Sequence, residues 1–166
     1  MKTIWAPWRL EFILDPKSKT TPVKNESIFK SLLKQKPAYK NLILYKGKKA
    51  FVLLNKFPYT NGHLMVIPNR QVADLTKITS AEHQELGELL SLSVSVLRQV
   101  FKPEGFNVGL NLGQAAGAGI LNHLHYHVVP RWQGDTNFMP IFAETKVLPE
   151  HLEATYQKLK LAFDAF

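Results

Sequence analysis

The chain has 166 residues, 45% of them hydrophobic and 20% charged, which suits one compact domain and is too apolar for a disordered chain. It contains no cysteine, which excludes disulfides and thiolate metal sites. It has no run of about 18 uncharged apolar residues, as a membrane span requires, and its N-terminal segment lacks the continuous apolar stretch of a signal peptide. We therefore expect a single domain over residues 1–166, located in the cytoplasm and not attached to a membrane.

The charge of the chain is unevenly distributed. Lysine and arginine number 21 against 13 acidic residues, a net charge of +8. Residues 1–50 carry 12 basic and 3 acidic side chains, whereas the remainder carries 9 and 10. A basic N-terminal portion attracts anions such as nucleotides or nucleic acid. A solvated lysine-rich surface explains most of these lysines equally well.

The first third of the chain predicts an arm, a short helix and a hairpin. Residues 1–25 are expected to form an irregular arm that carries two tryptophans. Residues 27–35 fit a short helix that ends before a proline. The apolar runs Asn41–Tyr45 and Ala50–Leu54 are separated by a turn with Gly47, which is typical of a β-hairpin.

The rest of the chain predicts three further strands and two helices. We expect strands at His63–Ile67, Phe106–Leu112 and Leu121–Pro130. Thr79 and Glu82 fit a capping box at the start of a long helix with apolar residues at helical spacing. A second amphipathic helix is expected within the C-terminal extension 141–166. About five strands joined by hairpins and one long helix predict an α+β fold on an antiparallel sheet.

Three of the six histidines lie in one short segment, at His123, His125 and His127. Side chains alternate along a strand, so we expect these three imidazoles on one face and Leu124 and Tyr126 on the other. Three neighbouring imidazoles are a poor way to build stability, because burial and mutual repulsion both disfavour their charged forms. The pattern therefore favours chemistry over structural accident.

A metal site is one explanation of these histidines. The outer two are separated by roughly 13 Å of extended backbone, and zinc bonds of about 2 Å cannot gather all three without distorting the strand. Two of them could bind a metal if His63, His83 or a carboxylate completed the site. The other explanation is nucleophilic attack by an unprotonated imidazole on phosphorus, with neighbouring rings donating hydrogen bonds. We favour the nucleophile.

The segment His123-Leu124-His125-Tyr126-His127-Val128-Val129 resembles the motif of the histidine triad superfamily, in which histidines alternate with apolar residues. The resemblance extends to Phe51–Pro68, to Gly109–Ile120 and to the segments around Trp5 and Trp132. The last two segments are similar to the branch that contains diadenosine tetraphosphate phosphorylases and fragile-histidine-triad-like hydrolases. The resemblance therefore covers most of residues 1–140.

This resemblance implies a role for each matched residue. His125 would attack the α-phosphorus and form a nucleotidyl-histidine, while His127 and His63 would position it and the phosphates, and His123 would complete the triad. The substrate-binding residues would be Asn55 at the ribose, Asn111 at phosphate, and Phe51, Leu53 and Met65 around the base. Without the resemblance, we would assign those three apolar side chains to the core. A surface position is equally ordinary for His63, which follows Gly62 at the start of a strand.

The small residues from Gly113 to Gly119 suit a phosphate cradle, because glycine allows close backbone approach and positive φ. Gln114, Gly117 and Gly119 are its candidate phosphate-binding residues. Many members of the superfamily carry a polar side chain shortly before the triad that assists the leaving group. This chain has Ala118, Gly119 and Ile120 there, so we expect Gln114 or backbone groups to substitute.

Many bacterial and archaeal members also hold a structural zinc with a Cys-x-x-Cys pair and a later histidine. The matching positions here are Ser27, Lys30 and Gln71, so we predict no structural zinc and no other resident cofactor. Lys30 is expected to fill the vacated space. A divalent cation that accompanies the substrate phosphates is compatible with this prediction.

The leading functional hypothesis is an enzyme that cleaves dinucleoside polyphosphates, and the resemblance implies a homodimer. Hydrolysis and phosphorolysis both remain open, with hydrolysis slightly favoured. The alternatives are a nucleoside phosphoramidate hydrolase, a nucleotide-binding sensor with little turnover, and, less favoured, nucleic-acid binding by the basic N-terminal portion.

Overall fold

The computed structural model of the protein describes residues 26–135 and 148–166. The predicted arm 1–25 and residues 136–147, which include part of the predicted C-terminal extension, lie outside the described residues.

The described residues form a five-stranded antiparallel sheet with three α-helices, which confirms the predicted α+β class. The strands are β1 (Ile43–Lys46), β2 (Ala50–Leu54), β3 (Leu64–Pro68), β4 (Gly105–Leu110) and β5 (Tyr126–Arg131); the helices are α1 (Ile28–Leu33), α2 (Ser80–Phe101) and α3 (Leu152–Phe163). The strand order in the sheet is β1-β2-β3-β5-β4.

The long helix α2 begins where the sequence predicts. The Thr79 side chain accepts a hydrogen bond from the Glu82 N–H, and the Glu82 carboxylate accepts one from the Thr79 N–H at 2.9 Å. This capping box satisfies N–H groups that the first turn otherwise leaves without partners, which contributes about 1 kcal/mol. Arg70 pairs with the same carboxylate at 2.8 Å and lowers the pKa of Glu82 to about 2.

Helix α2 covers one face of the sheet and leaves the other to the histidines. It packs against β2, β3 and β5, and its Arg98 lies over the ring of Phe106 on β4. Phe106 pairs with Pro130, which points away from the face that carries His127 because side chains alternate along β5. The histidine face therefore lies opposite α2.

One row of side chains crosses the histidine face at the level of His127. Leu53 on β2 pairs with Met65 on β3, Met65 pairs with His127 on β5, and His127 pairs with Gly109 on β4. Because Gly109 has no side chain, the row leaves space on the β4 side of His127. A Cβ built at Gly109 would meet no atom within 4 Å.

The strand predicted at Leu121–Pro130 is wrong over its first five residues, since β5 begins at Tyr126. The Leu124 N–H donates to the Val72 carbonyl at 2.7 Å, in the loop after β3, so this part of the chain is paired outside the sheet ladder. Smaller differences occur at β3, which begins at Leu64, and at β4, which ends at Leu110.

Candidate active site

His125 is held with one ring nitrogen satisfied by the backbone. Its Nδ1 atom lies 3.0 Å from the carbonyl oxygen of His123. A carbonyl only accepts, so Nδ1 must carry the proton and donate. In the neutral ring the Nε2 atom is then unprotonated and keeps its lone pair. This is the form in which an imidazole attacks an electrophile.

His127 is connected to a loop through His63. The Nε2 atom of His63 lies 2.9 Å from the Nδ1 atom of His127. On its other side, Nδ1 of His63 accepts from the Tyr59 N–H at 3.1 Å and lies 3.3 Å from the Asn55 side-chain nitrogen. The Asn55 orientation is fixed because its oxygen accepts from the Phe57 N–H at 2.9 Å.

These contacts assign the protons along the chain of rings. Nδ1 of His63 faces donors, so a neutral His63 carries its proton on Nε2 and donates to His127. Nδ1 of His127 is then the acceptor, and the proton of His127 sits on Nε2. His125 and His127 are in edge-on contact, with ring centroids 5.0 Å apart. The site therefore presents a lone pair on one imidazole beside an N–H donor on the next.

Gly62 places His63 in this network. Its φ is +77°, and a Cβ there would lie 3.1 Å from the Leu97 side chain, so only glycine fits without strain. His63 itself is fully buried and stacks against the ring of Tyr59, with centroids 4.8 Å apart. The alternative of a surface histidine is therefore excluded, since His63 is enclosed by the loop that carries Tyr59 and by His127 on β5.

Burial keeps the triad neutral. Removal from water lowers the pKa of His125, opposed by its hydrogen bond to the His123 carbonyl. Burial, followed by repulsion from His125, lowers the pKa of His127 to about 4. Burial also lowers the pKa of His123, although its Nε2–H donates to the Pro68 carbonyl at 2.8 Å. Neutral imidazoles at neutral pH suit a nucleophile and a neutral hydrogen-bond donor.

His123 has a different environment from the other two triad members. It is 1% exposed, and its Nδ1 atom has no hydrogen-bond partner among the described residues. Its backbone carbonyl orients His125, and its ring is clamped by Pro68 and by Phe29, whose ring centroid is 5.5 Å away. Phe29 is not a candidate from the sequence, which places it only in a short predicted helix, because its partners lie far along the chain.

The residues expected around the base lie on the histidine face. Leu53 and Met65 belong to the row that contains His127, and Phe51 lies two residues from Leu53 on the same side of β2. All three are buried, as core residues or the inner wall of a pocket would be. Asn55 follows β2 directly and contacts His63, so it adjoins the histidines, and its ribose contact stays a prediction.

The glycine-containing loop begins directly after β4. Gly113 and Gly117 have φ of +80° and +85° and flank a 3₁₀ turn at Gln114–Ala116. The Asn111 side-chain nitrogen lies 3.4 Å from the Gly117 carbonyl oxygen and steadies the loop. Gln114, Gly117 and Gly119 are exposed to solvent, so their backbone and side-chain groups are accessible to a ligand. Whether they contact phosphate stays a prediction.

Comparison with known proteins decides the family. The family model of the HIT domain matches residues 36–134. This range includes His63, the three triad histidines, the Asn55 loop and the glycine-containing loop. The chain belongs to the HIT domain family. This confirms the resemblance to histidine triad proteins.

Individual HIT relatives are similar over different shares of the chain. An AP-4-A phosphorylase of Mycobacterium tuberculosis is 38% identical over 165 residues, which cover 96% of this chain and 83% of the relative. A bis(5'-adenosyl)-triphosphatase of Saccharomyces cerevisiae is 32% identical over 92 residues, 55% of this chain and 44% of the relative. A solved Zn-bound histidine triad family protein from Mycobacterium smegmatis superposes with a TM-score of 0.66 at 25% identity, covering 84% of this chain and 94% of that one.

The structural zinc of some HIT proteins does not fit the donors present here. The Ser27 hydroxyl caps α1 by accepting from the Phe29 N–H, and the Gln71 side-chain oxygen accepts from the Ser27 N–H at 2.9 Å. Lys30 is a cation and lies exposed, so it does not fill the vacated space as expected; the buried ring of Phe29 packs on the histidines there. Within residues 26–135 and 148–166, no cluster of three or more His, Cys, Asp or Glu could hold a metal ion.

None of the helices in the described parts of this HIT protein is long and apolar enough to cross a membrane.

Proposed function

We propose that this HIT protein cleaves dinucleoside polyphosphates at the α-phosphorus through a nucleotidyl intermediate on Nε2 of His125. The observation that carries the proposal is the 3.0 Å contact between Nδ1 of His125 and the His123 carbonyl, which leaves the Nε2 lone pair available. The names of the two relatives, a phosphorylase and a triphosphatase of adenosine polyphosphates, support the substrate class.

In the first step, Nε2 of His125 forms a bond to the α-phosphorus while the bond from phosphorus to the bridging oxygen breaks. The bond's electron pair leaves with that oxygen on the departing nucleoside polyphosphate. The ring of His127 is in edge-on contact with the attacking ring, and we propose its Nε2–H as a donor to the phosphate oxygens on which charge develops. The hydrogen bonds from the Tyr59 N–H to His63 and from His63 to Nδ1 of His127 keep this proton on Nε2 of His127.

In the second step, an acceptor oxygen attacks the same phosphorus and the phosphorus–nitrogen bond breaks. Its electron pair returns to Nε2 of His125, and the acceptor's proton is lost to solvent. Water as acceptor yields a nucleoside monophosphate, and inorganic phosphate yields a nucleoside diphosphate. The sequence slightly favoured water; similarity to a phosphorylase over 96% of the chain favours phosphate, which we propose as the acceptor.

Product analysis tests the substrate class and the acceptor together. The protein is incubated with diadenosine tetraphosphate, with and without inorganic phosphate, and the nucleotides are separated. ADP plus ATP formed only with phosphate is the expected result. AMP plus ATP formed equally without phosphate would replace phosphorolysis by hydrolysis, and no cleavage under either condition would reject the substrate.

Replacement of the nucleophile distinguishes an enzyme from a nucleotide sensor. His125→Asn retains a polar side chain of similar size and removes the reactive nitrogen. We expect turnover to fall by several orders of magnitude while nucleotide affinity, measured by calorimetry, stays within a few-fold. A wild-type protein that binds nucleotide with no turnover for the variant to lose would favour the sensor. Adenosine 5'-phosphoramidate is the substrate that tests the alternative of a nucleoside phosphoramidate hydrolase.

We also propose that the protein is a homodimer that pairs through β4. Within the described residues β4 is an edge strand, paired with β5 alone, and exposed apolar side chains lie on it and just after it, with Val108 at 48% and Leu112 at 46%. Exposed edges and apolar patches favour association. Val108→Lys is expected to shift the mass measured by light scattering from dimer to monomer. The cytoplasm remains the proposed compartment on composition alone.

A further inference from the structure

The ring of Phe29 contacts two triad histidines at once. Its centroid lies 5.3 Å from that of His125, with the rings tilted by 58°, and 5.5 Å from that of His123 in an edge-on arrangement. Phe29 is 3% exposed. The imidazole of His125 is therefore bounded by an apolar ring from α1 as well as by His127.

Helix α1 is fixed at both ends, so Phe29 cannot readily withdraw. At the start, Ser27 caps the helix and its N–H donates to Gln71, which follows β3. At the end, the Lys46 ammonium on β1 donates to the carbonyl of Leu33 at 2.5 Å and also to that of Gln35. A helix of six residues has little stability of its own, and these contacts tie it to the sheet.

This attachment matters because one hydrogen bond alone does not fix an imidazole. A ring held only by Nδ1–H can rotate about its Cβ–Cγ bond or exchange its proton to Nε2, and either event removes the lone pair from the reacting position. A packed aromatic ring restricts the rotation. Exclusion of water favours the tautomer in which Nδ1–H is already bonded to the carbonyl.

We infer that Phe29 is a positioning residue for His125, which holds the imidazole so that Nδ1 stays on the His123 carbonyl and Nε2 stays aimed at substrate. Hydrogen bonds at both ends of α1 hold the segment that carries this ring. The kinetic part of this inference rests on the proposed function, and the orientation of His125 can be measured without it.

The test compares Phe29→Leu with a matched loss of a buried ring elsewhere. Phe163→Leu is the control, because Phe163 is 1% exposed and packs near Tyr45 on the far side of the sheet. Long-range ¹H–¹⁵N NMR gives the tautomer of His125, thermal unfolding gives stability, and steady-state kinetics with diadenosine tetraphosphate and phosphate give kcat and KM. Phe29→Met, which fills more of the volume, is used if Phe29→Leu unfolds at the assay temperature.

We expect both Leu variants to lose stability, with only Phe29→Leu affecting His125. Its ¹⁵N shifts should move from a single Nδ1–H tautomer toward a mixture, and kcat should fall about tenfold or more with KM nearly constant, as expected for a misplaced reacting group. Equal stability losses with an unchanged tautomer and kcat would reduce Phe29 to a core residue and overturn the inference. If the wild type shows no turnover, the proposed function fails, and the tautomer measurement still decides the role of Phe29.

Discussion

The Nε2 atom of His63 lies 2.9 Å from the Nδ1 atom of His127, although the two residues are 64 positions apart. This contact makes the protonation of a strand residue depend on a loop. The Tyr59 N–H at the far side of His63 cannot lose its proton, so it fixes which nitrogen of His63 donates. A backbone group thereby sets the tautomer of His127.

The first prediction concerns this relay. His63→Leu removes the donor to His127, so the proton of His127 is no longer confined to Nε2, and we expect kcat to fall about 100-fold. His63→Gln can still donate from its amide to Nδ1 of His127 and should retain more activity. Both variants are compared by kcat and by nucleotide affinity. An equal loss in the two variants would show that donation to His127 is not what His63 provides.

The second prediction concerns the pH dependence of activity. Burial lowers the pKa of His125 below its ordinary value of 6.5, so the nucleophile stays unprotonated as the pH falls through that value. We expect kcat/KM to be level from pH 8 to about 6.5 and to decline only in more acidic solution, because kcat/KM reports the pKa of the free enzyme. The measurement is a kcat/KM profile at substrate concentrations well below KM. A decline that begins above pH 7 would be incompatible with a desolvated His125.

The third prediction concerns stability. The triad histidines have lower pKa values in the folded state than in the unfolded state, where 6.5 is typical. Below pH 6.5 the unfolded chain therefore binds more protons, and the free energy of unfolding falls as the pH decreases toward about 4, the folded pKa of His127. Urea unfolding at pH 7, 6 and 5 measures this slope.

The matched variant for this slope is His127→Gln, which removes one titrating group and keeps a polar side chain. Its free energy of unfolding should depend less steeply on pH than that of the wild type. If the free energy of unfolding depended on pH equally in the two proteins, His127 would have the same pKa in the folded and unfolded states.

The fourth prediction concerns metal. Because Ser27 and Gln71 are engaged with backbone groups, we expect EDTA to leave the melting temperature unchanged, and the purified protein to contain less than stoichiometric zinc by elemental analysis. One zinc per chain, with a melting temperature lowered by chelation, would contradict the assigned role of these residues.

Local patterns in the sequence were sufficient for the elements whose determinants are close together. The capping box at Thr79 and Glu82 lies within four residues, and it places the start of α2 correctly. The hairpin of β1 and β2 follows from two apolar runs and a short turn. The grouping of the three histidines also holds, since Phe29 contacts two of them and His125 contacts His127.

Long-range contacts explain what the sequence could not show. β5 begins late because Leu124 is paired with Val72, a contact between segments with no common pattern. His63 is buried because the fold brings His127 on β5 into contact with it. Phe29 lies against the triad on a helix whose two ends are hydrogen-bonded to Gln71 and Lys46, which are distant in sequence.

The central claim is tested most directly by trapping the intermediate. The protein is mixed with diadenosine tetraphosphate without phosphate, quenched in alkali to preserve a phosphorus–nitrogen bond, and analysed as intact chain and as peptides by mass spectrometry. We predict one adenylyl group on the peptide that contains His125, bonded to its Nε2, and no adduct in His125→Asn. Sustained turnover in His125→Asn, or an adenylyl group on a different residue of the wild type, would contradict the assignment of His125 as the nucleophile.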